Sequence, residues 1–418
     1  MDEFIAEVRA FLDANARRRP DPHEAAAWGV GDDTIAYFST DPPDVDRANA
    51  EKARQWQHRR FDAGLGWITG PVEYGGRGLT TAHDLLYDAI EAEYDVPDTG
   101  VLAVIGLGMI GPTILAHAQP HIRQRYLPAM YAGETIACQL FSEPGAGSDL
   151  ASLSTRAEKD EAANEWVLNG QKVWTSGAQH SHFGAIIART DPTVPKHNGI
   201  TMFIVDMHAP GVTVRPLKVA TGASPFNEVF FDNVRLPADA VINKVNNGWA
   251  AAVVMLRNER VTIGTAAPAR TSPLAYDSLS KLAATLGRDD QGTARALAGL
   301  YARERASGLF GQVLREEAMS GRDPGARGSE AKLAGAVLGL HAAEVALGVL
   351  GPAAAGSTSE DVRTVITAII GVPAGSIAGG SNEIQRNIIG ERVLGLPKDP
   401  GVDRSIPFNQ LAVGTQKR

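Results

Sequence analysis

Cys138-Gln139-Leu140-Phe141-Ser142-Glu143-Pro144-Gly145-Ala146-Gly147-Ser148-Asp149 begins apolar and ends in glycines and hydroxyls behind a proline. An apolar run that stops at a Gly/Pro/Ser cluster is a strand running into a tight loop. Glycines let a backbone come close to a ligand, and Ser142 and Ser148 add hydroxyls that donate or accept. Further along, Gly170-Gln171-Lys172-Val173-Trp174-Thr175-Ser176-Gly177-Ala178 is a second strand-then-loop, with one large aromatic beside two hydroxyls. A flat ring with hydroxyls around it suits a flat heterocycle with polar edges.

The chain has 418 residues, enough for two or three domains and a large core. Its 44% hydrophobic and 21% charged residues are ordinary for a globular protein in water. A formal net charge of −8 argues against nucleic acid as the main partner. The single cysteine, Cys138, excludes an intramolecular disulfide and suits a reducing cytoplasm, so a cytoplasmic location is expected. The first residues form an amphipathic, mixed-charge pattern without the basic start and apolar run of a signal peptide. Thr99 to Ala118 carries no Asp, Glu, Lys or Arg and has about the length of a membrane span. Its four glycines, Pro112 and His117 read instead as a helix buried in a core, so no membrane span is expected.

Hydrophobic periodicity divides the chain. Phe4, Ile5, Val8, Phe11 and Leu12 recur at helical spacing, as do Leu85, Leu86, Ile90 and Tyr94, while residues 19 to 47 read as an irregular connection. From about 137 the period shortens. Trp166 to Trp174 reads as a strand, a turn at Asn169-Gly170 and a second strand. Ala185 to Arg189, Gly199 to Val205 and Gly211 to Val214 read as further strands. Helical patterns return from about 247, with long Ala/Leu-rich runs over Thr293 to Met319 and Gly328 to Leu350. The expected division is an all-α unit over 1–136, a β unit over 137–243, a helical unit over 244–397 and a polar tail over 398–418 that is mobile or lies on a neighbour.

Gly106-Leu107-Gly108-Met109-Ile110-Gly111 matches the GxGxxG dinucleotide fingerprint, but its context does not. The fingerprint wants a second strand ending in an acidic residue. Here His121-Ile122-Arg123-Gln124-Arg125-Tyr126-Leu127 follows and reads as helix. Close helix packing, or room for a bound ligand, accounts better for these small residues.

The two strand-then-loop segments together resemble the middle domain of the acyl-CoA dehydrogenase family. Further matches are Val72-Glu73-Tyr74-Gly75-Gly76-Arg77-Gly78, Phe226 to Pro237 (FNEVFFDNVRLP), Asn247-Gly248-Trp249 and Gly379-Gly380-Ser381-Asn382-Glu383-Ile384-Gln385-Arg386. In order and spacing they cover about residues 65 to 397. The resemblance implies an α+β fold: an N-terminal helical domain, a middle β-barrel or sandwich domain, and a C-terminal four-helix bundle. It implies FAD as cofactor, an acyl-CoA substrate, no metal, and electron-transfer flavoprotein as electron acceptor. By the same resemblance Gln139, Phe141, Ser142, Gly147, Ser148, Trp174, Thr175, Ser176, Ser381 and Asn382 fall at cofactor positions. Ser148, Arg260 and Gly379 fall at substrate positions, with the Gly379 N–H available to the thioester oxygen.

In this chemistry a base removes the α-proton while flavin N5 takes the β-hydride. A thioester α-proton is weakly acidic, so the site needs a carboxylate in an apolar pocket and donors on the thioester oxygen. Many family members place the base just before the Gly-Thr/Ser that opens the last long helix, where this chain has Gly379. Met255 to Ile263 offers another: Glu259 shares a helical stripe with Met255, Leu256, Thr262 and Ile263. Burial raises a carboxyl group toward working pH, which suits a base; the same pattern also suits a helix glutamate paired with an arginine. The resemblance selects the first, because the isovaleryl-, long-chain and steroid side-chain branch carries its base in a Glu-Arg pair on this helix, matched by Glu259-Arg260.

A second departure concerns assembly. Homotetrameric members complete a neighbour's FAD site with Arg-x-x-Phe-Gly and Gln-x-x-Gly-Gly motifs. Neither is found in Ser272-Pro273-Leu274-Ala275-Tyr276-Asp277-Ser278 or in Ala346-Leu347-Gly348-Val349-Leu350-Gly351-Pro352. Expected assemblies are therefore a homo-dimer or tetramer, or an α2β2 heterotetramer with a homologous subunit. An acyl-CoA oxidase and a non-catalytic or cofactor-incomplete subunit are the alternative readings.

Overall fold

The computed structural model describes residues 1–19, 42–100, 102–265, 272–322, 325–398, 405–413 and 416–417, without side chains at 260–265, 412–413 and 416–417. Most of the irregular connection expected over 19–47 lies outside the described residues.

The N-terminal helices bury the residues that the helical spacing marked. Phe4, Val8 and Leu12 of α1 (Asp2–Asn15) pack with Trp56 of α2 (Pro43–Asp62) and with Tyr87 and Ile90 of α3 (Thr81–Glu91). A two-residue ladder, β1 (Arg17–Arg18) on β2 (Tyr94–Asp95), ties the end of α1 to the end of α3. The uncharged stretch then forms a π-helix, Leu102–Ile110, that continues into α4 (Gly111–His117); α5 (Pro120–Tyr131) follows. The GxGxxG glycines thus lie in helix and not at the end of a strand, which removes the dinucleotide reading.

The chain now enters one eight-stranded sheet. Its strands are β3 (Ala137–Leu140), β4 (Arg156–Asp160), β5 (Glu165–Ser176), β6 (Phe183–Arg189), β7 (Ile200–Asp206), β8 (Val212–Leu217), β9 (Phe226–Pro237) and β10 (Val241–Ile242). The order is β10-β7-β6-β4-β5-β9-β8, with β3 parallel beside β6. Central strands β6 and β7 are buried along almost their whole length, as their near-continuous apolar sequence requires.

The turn expected at Asn169-Gly170 does not form. β5 runs unbroken through both residues with a register shift between Leu168 and Gly170, and the chain reverses earlier, between Asp160 and Glu165. Gly170 is needed for another reason. Its φ is +148°, and a Cβ there would stand 2.5 Å from Thr155 Oγ1 and 2.7 Å from Thr155 Cα. Backbone cannot give way as a side-chain tip does, so Gly170→Ala is expected to cost about 1–3 kcal/mol of stability. A lower urea midpoint with an unchanged m-value would record that loss.

The C-terminal helices are α6 (Gly248–Thr265), α7 (Tyr276–Thr285), α8 (Gln291–Met319), α9 (Gly328–Leu350), α10 (Ala353–Gly356), α11 (Glu360–Gly371) and α12 (Asn382–Ile388). α9 packs against α6, α8, α11 and α12. Among the described residues, α9 with its preceding turn is the one helix long and apolar enough to cross a membrane. Within the fold it lends Ala342, Ala346, Val349 and Leu350 to the core of the bundle. α6 is the junction of the molecule: it touches the π-helix, α4, β7 and α9. Its Ala251, Ala252 and Met255 share one core with Met109 of the π-helix, Phe141 and Ala146 of the first loop, and Met202 of β7.

The expected mobile or neighbour-bound tail is corrected in its described part. Phe408 donates its backbone N–H to the Val194 carbonyl at 2.9 Å, and the Arg189 guanidinium lies 3.8 Å above the Phe408 ring. These residues dock on the chain's own sheet because the aromatic face offers Arg189 a cation–π seat.

Candidate active site

The first loop is a tight turn over Pro144-Gly145, closed by reciprocal backbone bonds between Glu143 and Ala146 of 3.0 and 3.1 Å. The Val173 N–H donates to the Ser142 carbonyl at 2.9 Å, which fastens this loop to β5 one residue before Trp174. Beneath them, Lys172 is fully buried and donates from Nζ to Glu143 Oε1 at 2.8 Å and to the Phe141 carbonyl at 3.0 Å. Glu143 also accepts the backbone N–H groups of Ser154 at 2.6 Å and Thr155 at 2.9 Å. Burial alone would raise the Glu143 carboxyl. The Lys172 charge and these donors overcome it and hold Glu143 below the usual carboxylate range. Burial also pulls Lys172 below its ordinary value, against the attraction of Glu143. Both residues are structural parts of the loop.

Trp174 is held out of the sheet. A second register shift in β5, between Lys172 and Thr175, places it at φ +62° with 54% of its surface exposed. A bulky residue in the left-handed region at a bulge marks a place where the strand re-aims a side chain. The Phe226 ring supports it edge-to-face at 5.6 Å, and Asn227 Nδ2 donates to the Thr175 carbonyl at 3.1 Å. Ser142 and Ser176 are half-buried, while Gly147 and Ser148 are exposed. Asp149 is engaged with Lys196 at 2.6 Å and with Ser152, a loop-holding role.

A second group of predicted residues lies in the helical bundle. Gly379 and Gly380 have φ of +67° and +88°. The buried Gln385 side chain donates to both their carbonyls, at 2.8 and 3.1 Å, and the buried Lys332 ammonium donates to the Gly380 carbonyl at 2.6 Å. Ser381 does not leave the start of α12 open, because its own hydroxyl accepts the Ile384 N–H. Asn382 is buried. Glu259 is half-buried on α6, within electrostatic range of Lys332 on α9. The Arg260, Thr262 and Ile263 side chains lie outside the described residues. Glu383 and Glu73, two other acids in the quoted motifs, are exposed.

The chain matches the acyl-CoA dehydrogenase N-terminal domain over residues 37–134, the middle domain over 138–234 and the C-terminal domain over 246–394. Acyl-CoA dehydrogenase IpdE1 of Mycobacterium tuberculosis is 35% identical over 400 residues, covering 96% of this chain and 98% of that protein. The chain belongs to the acyl-CoA dehydrogenase family. Acyl-CoA dehydrogenase FadE34 of the same organism is 40% identical over 401 residues, covering 94% of this chain but only about half, 52%, of FadE34. Among solved structures, a chain of the ChsE4–ChsE5 complex from Mycobacterium tuberculosis superposes with a TM-score of 0.68 at 26% identity, covering 96% of this chain and 99% of that one.

Acyl-CoA dehydrogenases are FAD-dependent, and the residues here fit that cofactor. Gly145 and Gly147 have open space where a Cβ would stand. Among the described residues Thr175 Oγ1 and Gln139 Nε2 are buried without a hydrogen-bond partner, and the Trp174 ring, next to Thr175 in sequence, is exposed with its backbone in the left-handed region. Orphaned polar atoms and an outward aromatic are what a polar-edged ring system would satisfy. Lys172, Lys332 and Gln385 were missed as parts of the site. Lys332 had one signal, as a lysine alone in the Ala/Leu-rich run from Gly328 to Leu350.

Proposed function

We propose that this chain catalyses the FAD-dependent α,β-dehydrogenation of an acyl-CoA thioester, with Glu259 as the base. The observation that carries the reading is the placement of Glu259, half-buried on the helix that shares its core with the first sheet loop. Gln139, Phe141, Ser142, Gly147, Ser148, Trp174, Thr175 and Ser176 would hold the flavin, with Ser381 and Asn382 from α12. When bound, FAD supplies the acceptor for the β-hydride, and an electron-transfer flavoprotein would take the electrons onward. Glu259 takes the α-proton as general base. The Gly379 N–H donates to the thioester oxygen, where negative charge gathers as the proton leaves. Both glycines sit in left-handed backbone, and a Cβ on Gly380 would stand 2.8 Å from Gln385 Nε2. A carboxylate-bearing residue here would strain this loop, which supports moving the base to α6.

A screen of acyl-CoA esters from short and branched to steroid-derived, with an artificial electron acceptor, tests the activity. Bleaching of the flavin spectrum by one of these esters is the expected result, and no bleaching by any would overturn it. Reduced flavin that reoxidises rapidly in air would favour the oxidase reading.

The functional unit we propose is an α2β2 assembly in which this chain supplies Glu259 and a homologous subunit completes the FAD site. The absence of both cross-subunit motifs from residues 272–278 and 346–352 supports it, as does the likeness to a chain of a two-component complex. Coexpression with a homologous partner chain is expected to raise flavin content and turnover together. One tightly bound FAD per chain in a pure homo-oligomer would overturn this assembly.

A further inference from the structure

We propose that Asp46 is a positioning residue for the flavin loop: through Gln179 and Asn227 it fixes the Thr175 carbonyl, and with it the bulge that aims Trp174. The proposal rests on the reading of Trp174 and Thr175 as residues that hold the flavin. Asp46 stands in the first turn of α2, where the positive end of the helix favours a carboxylate. Farther along α2, Trp56 lies in the N-terminal core, and Gln57 Nε2 donates to the Gly66 and Tyr131 carbonyls at 2.9 and 2.7 Å. α2 therefore carries Asp46 from that core to the short helix after β5, Ala178–His180. There Asp46 Oδ2 accepts from Gln179 Nε2 at 3.2 Å and from His180 Nε2 at 2.6 Å.

The link has a direction. An ionised carboxylate can only accept, so the Gln179 amide turns its nitrogen to Asp46 and its oxygen away. That oxygen accepts from Asn227 Nδ2 at 2.6 Å. The same Asn227 nitrogen spends its second hydrogen on the Thr175 carbonyl at 3.1 Å. Flipped, the Asn227 amide would set its oxygen against two acceptors, so the order of donors is fixed from Asp46 to Thr175. Asn227 is wholly buried on β9, and it faces Thr175 where pairing resumes after the register shift that holds Trp174. Among the described residues its own Oδ1 has no hydrogen-bond partner. A buried amide with an unsatisfied oxygen gives up stability, and what it secures here is the position of Thr175. His180 belongs to a separate strap. Its backbone N–H donates to the Gly177 carbonyl at 3.0 Å, so its bond to Asp46 ties α2 to the turn without passing through Asn227.

Variants of the flavin-loaded enzyme or its α2β2 complex test the relay. Gln179→Glu sets a second carboxylate against Asp46 and breaks the link. It is expected to weaken FAD binding by about threefold to tenfold, the usual worth of a hydrogen bond, and to change the visible circular dichroism of the flavin. Adding Asp46→Asn returns a donor to face that carboxylate and should restore both. His180→Phe is expected to lower the melting temperature and leave the flavin signal as in wild type. Trp174→Phe records the change that loss of the ring itself produces. Melting curves establish that each variant is folded, and Gln179→Met, which breaks the same link without adding charge, takes the place of Gln179→Glu if the latter does not fold. Flavin signal and FAD affinity unchanged in the folded Gln179 variant, or no recovery in the Asp46→Asn/Gln179→Glu pair, overturns the relay. So does an equal change in His180→Phe, because Asp46 would then be a general anchor for α2. If Trp174→Phe itself leaves the flavin signal unchanged, the reading of that loop as flavin-holding fails, and the relay falls with it.

Discussion

Glu259→Gln is expected to lower kcat by about 10²- to 10⁴-fold, the usual worth of a general base, with flavin content and acyl-CoA affinity nearly unchanged. Glutamine keeps the shape and a hydrogen-bonding tip but has no lone pair basic enough to take an α-proton. The site residues expected to hold the cofactor are on β3 and the loop after it, on β5 and at the start of α12, and none is on α6, so the substitution leaves them in place. Three measurements on one preparation decide the matter: the flavin spectrum, calorimetric titration with a substrate-length acyl-CoA, and turnover with an artificial acceptor. Loss of turnover with binding intact is the expected pattern. If flavin and turnover fall together, Glu259 is part of the packing between α6 and its neighbours, and the proton acceptor lies elsewhere.

The second large effect is expected from Lys172→Met. Removing the lysine leaves the Glu143 carboxylate buried without its cation, the kind of change that costs about 3–5 kcal/mol. The damage is local as well as global. Lys172 holds the Phe141 carbonyl and Glu143, so the turn carrying Ser142 and Gly147 loses its underside. Flavin occupancy should therefore fall even at temperatures where the chain stays folded. The loss depends on pH. Glu143 is held below its ordinary value in the folded protein, so its contribution is fully present above the carboxylate range and fades as pH falls through that lowered value. The stability gap between wild type and variant should be widest near neutrality and narrow in acid. Pairing the change with Glu143→Gln should recover part of the loss, because no lone charge then remains buried. Urea denaturation of the four proteins of this cycle, at neutral and at acidic pH, reads all of these. A gap that stays constant with pH would assign Lys172 a packing role only.

Local signals in the chain carried much of this fold, and the failures have a common cause. The run from Gly328 to Leu350 reads as a helix because its apolar residues recur at helical spacing, and α9 has those same ends. Ala185 to Arg189 reads as a strand because β6 is buried on both faces, leaving a continuous apolar run. Asn169-Gly170 misleads because the dipeptide is a strong turn signal by itself. What selects Gly170 is the approach of Thr155 from the neighbouring strand, which no local pattern encodes. The tail misleads likewise, since polar residues broken by prolines give no hint that Phe408 meets Arg189. In the site, Ser142 and Trp174 were legible as motif positions. The left-handed backbone of Trp174 was not, because it arises from the register of β5 on β9. Lys332 drew no reading of its own, because only the fold lays it on the Gly380 carbonyl.

α6 is rooted at one end in the same core as the sheet and reaches the bundle through α9. A part packed on both sides serves as a gauge block: on the reading proposed above, the separation between Glu259 and the two sheet loops follows from how α6 seats on the sheet core and on α9. A change in whatever substrate preference this chain has would then be easier to reach in the walls around that block, since shifting the block itself would disturb the sheet core and the bundle together.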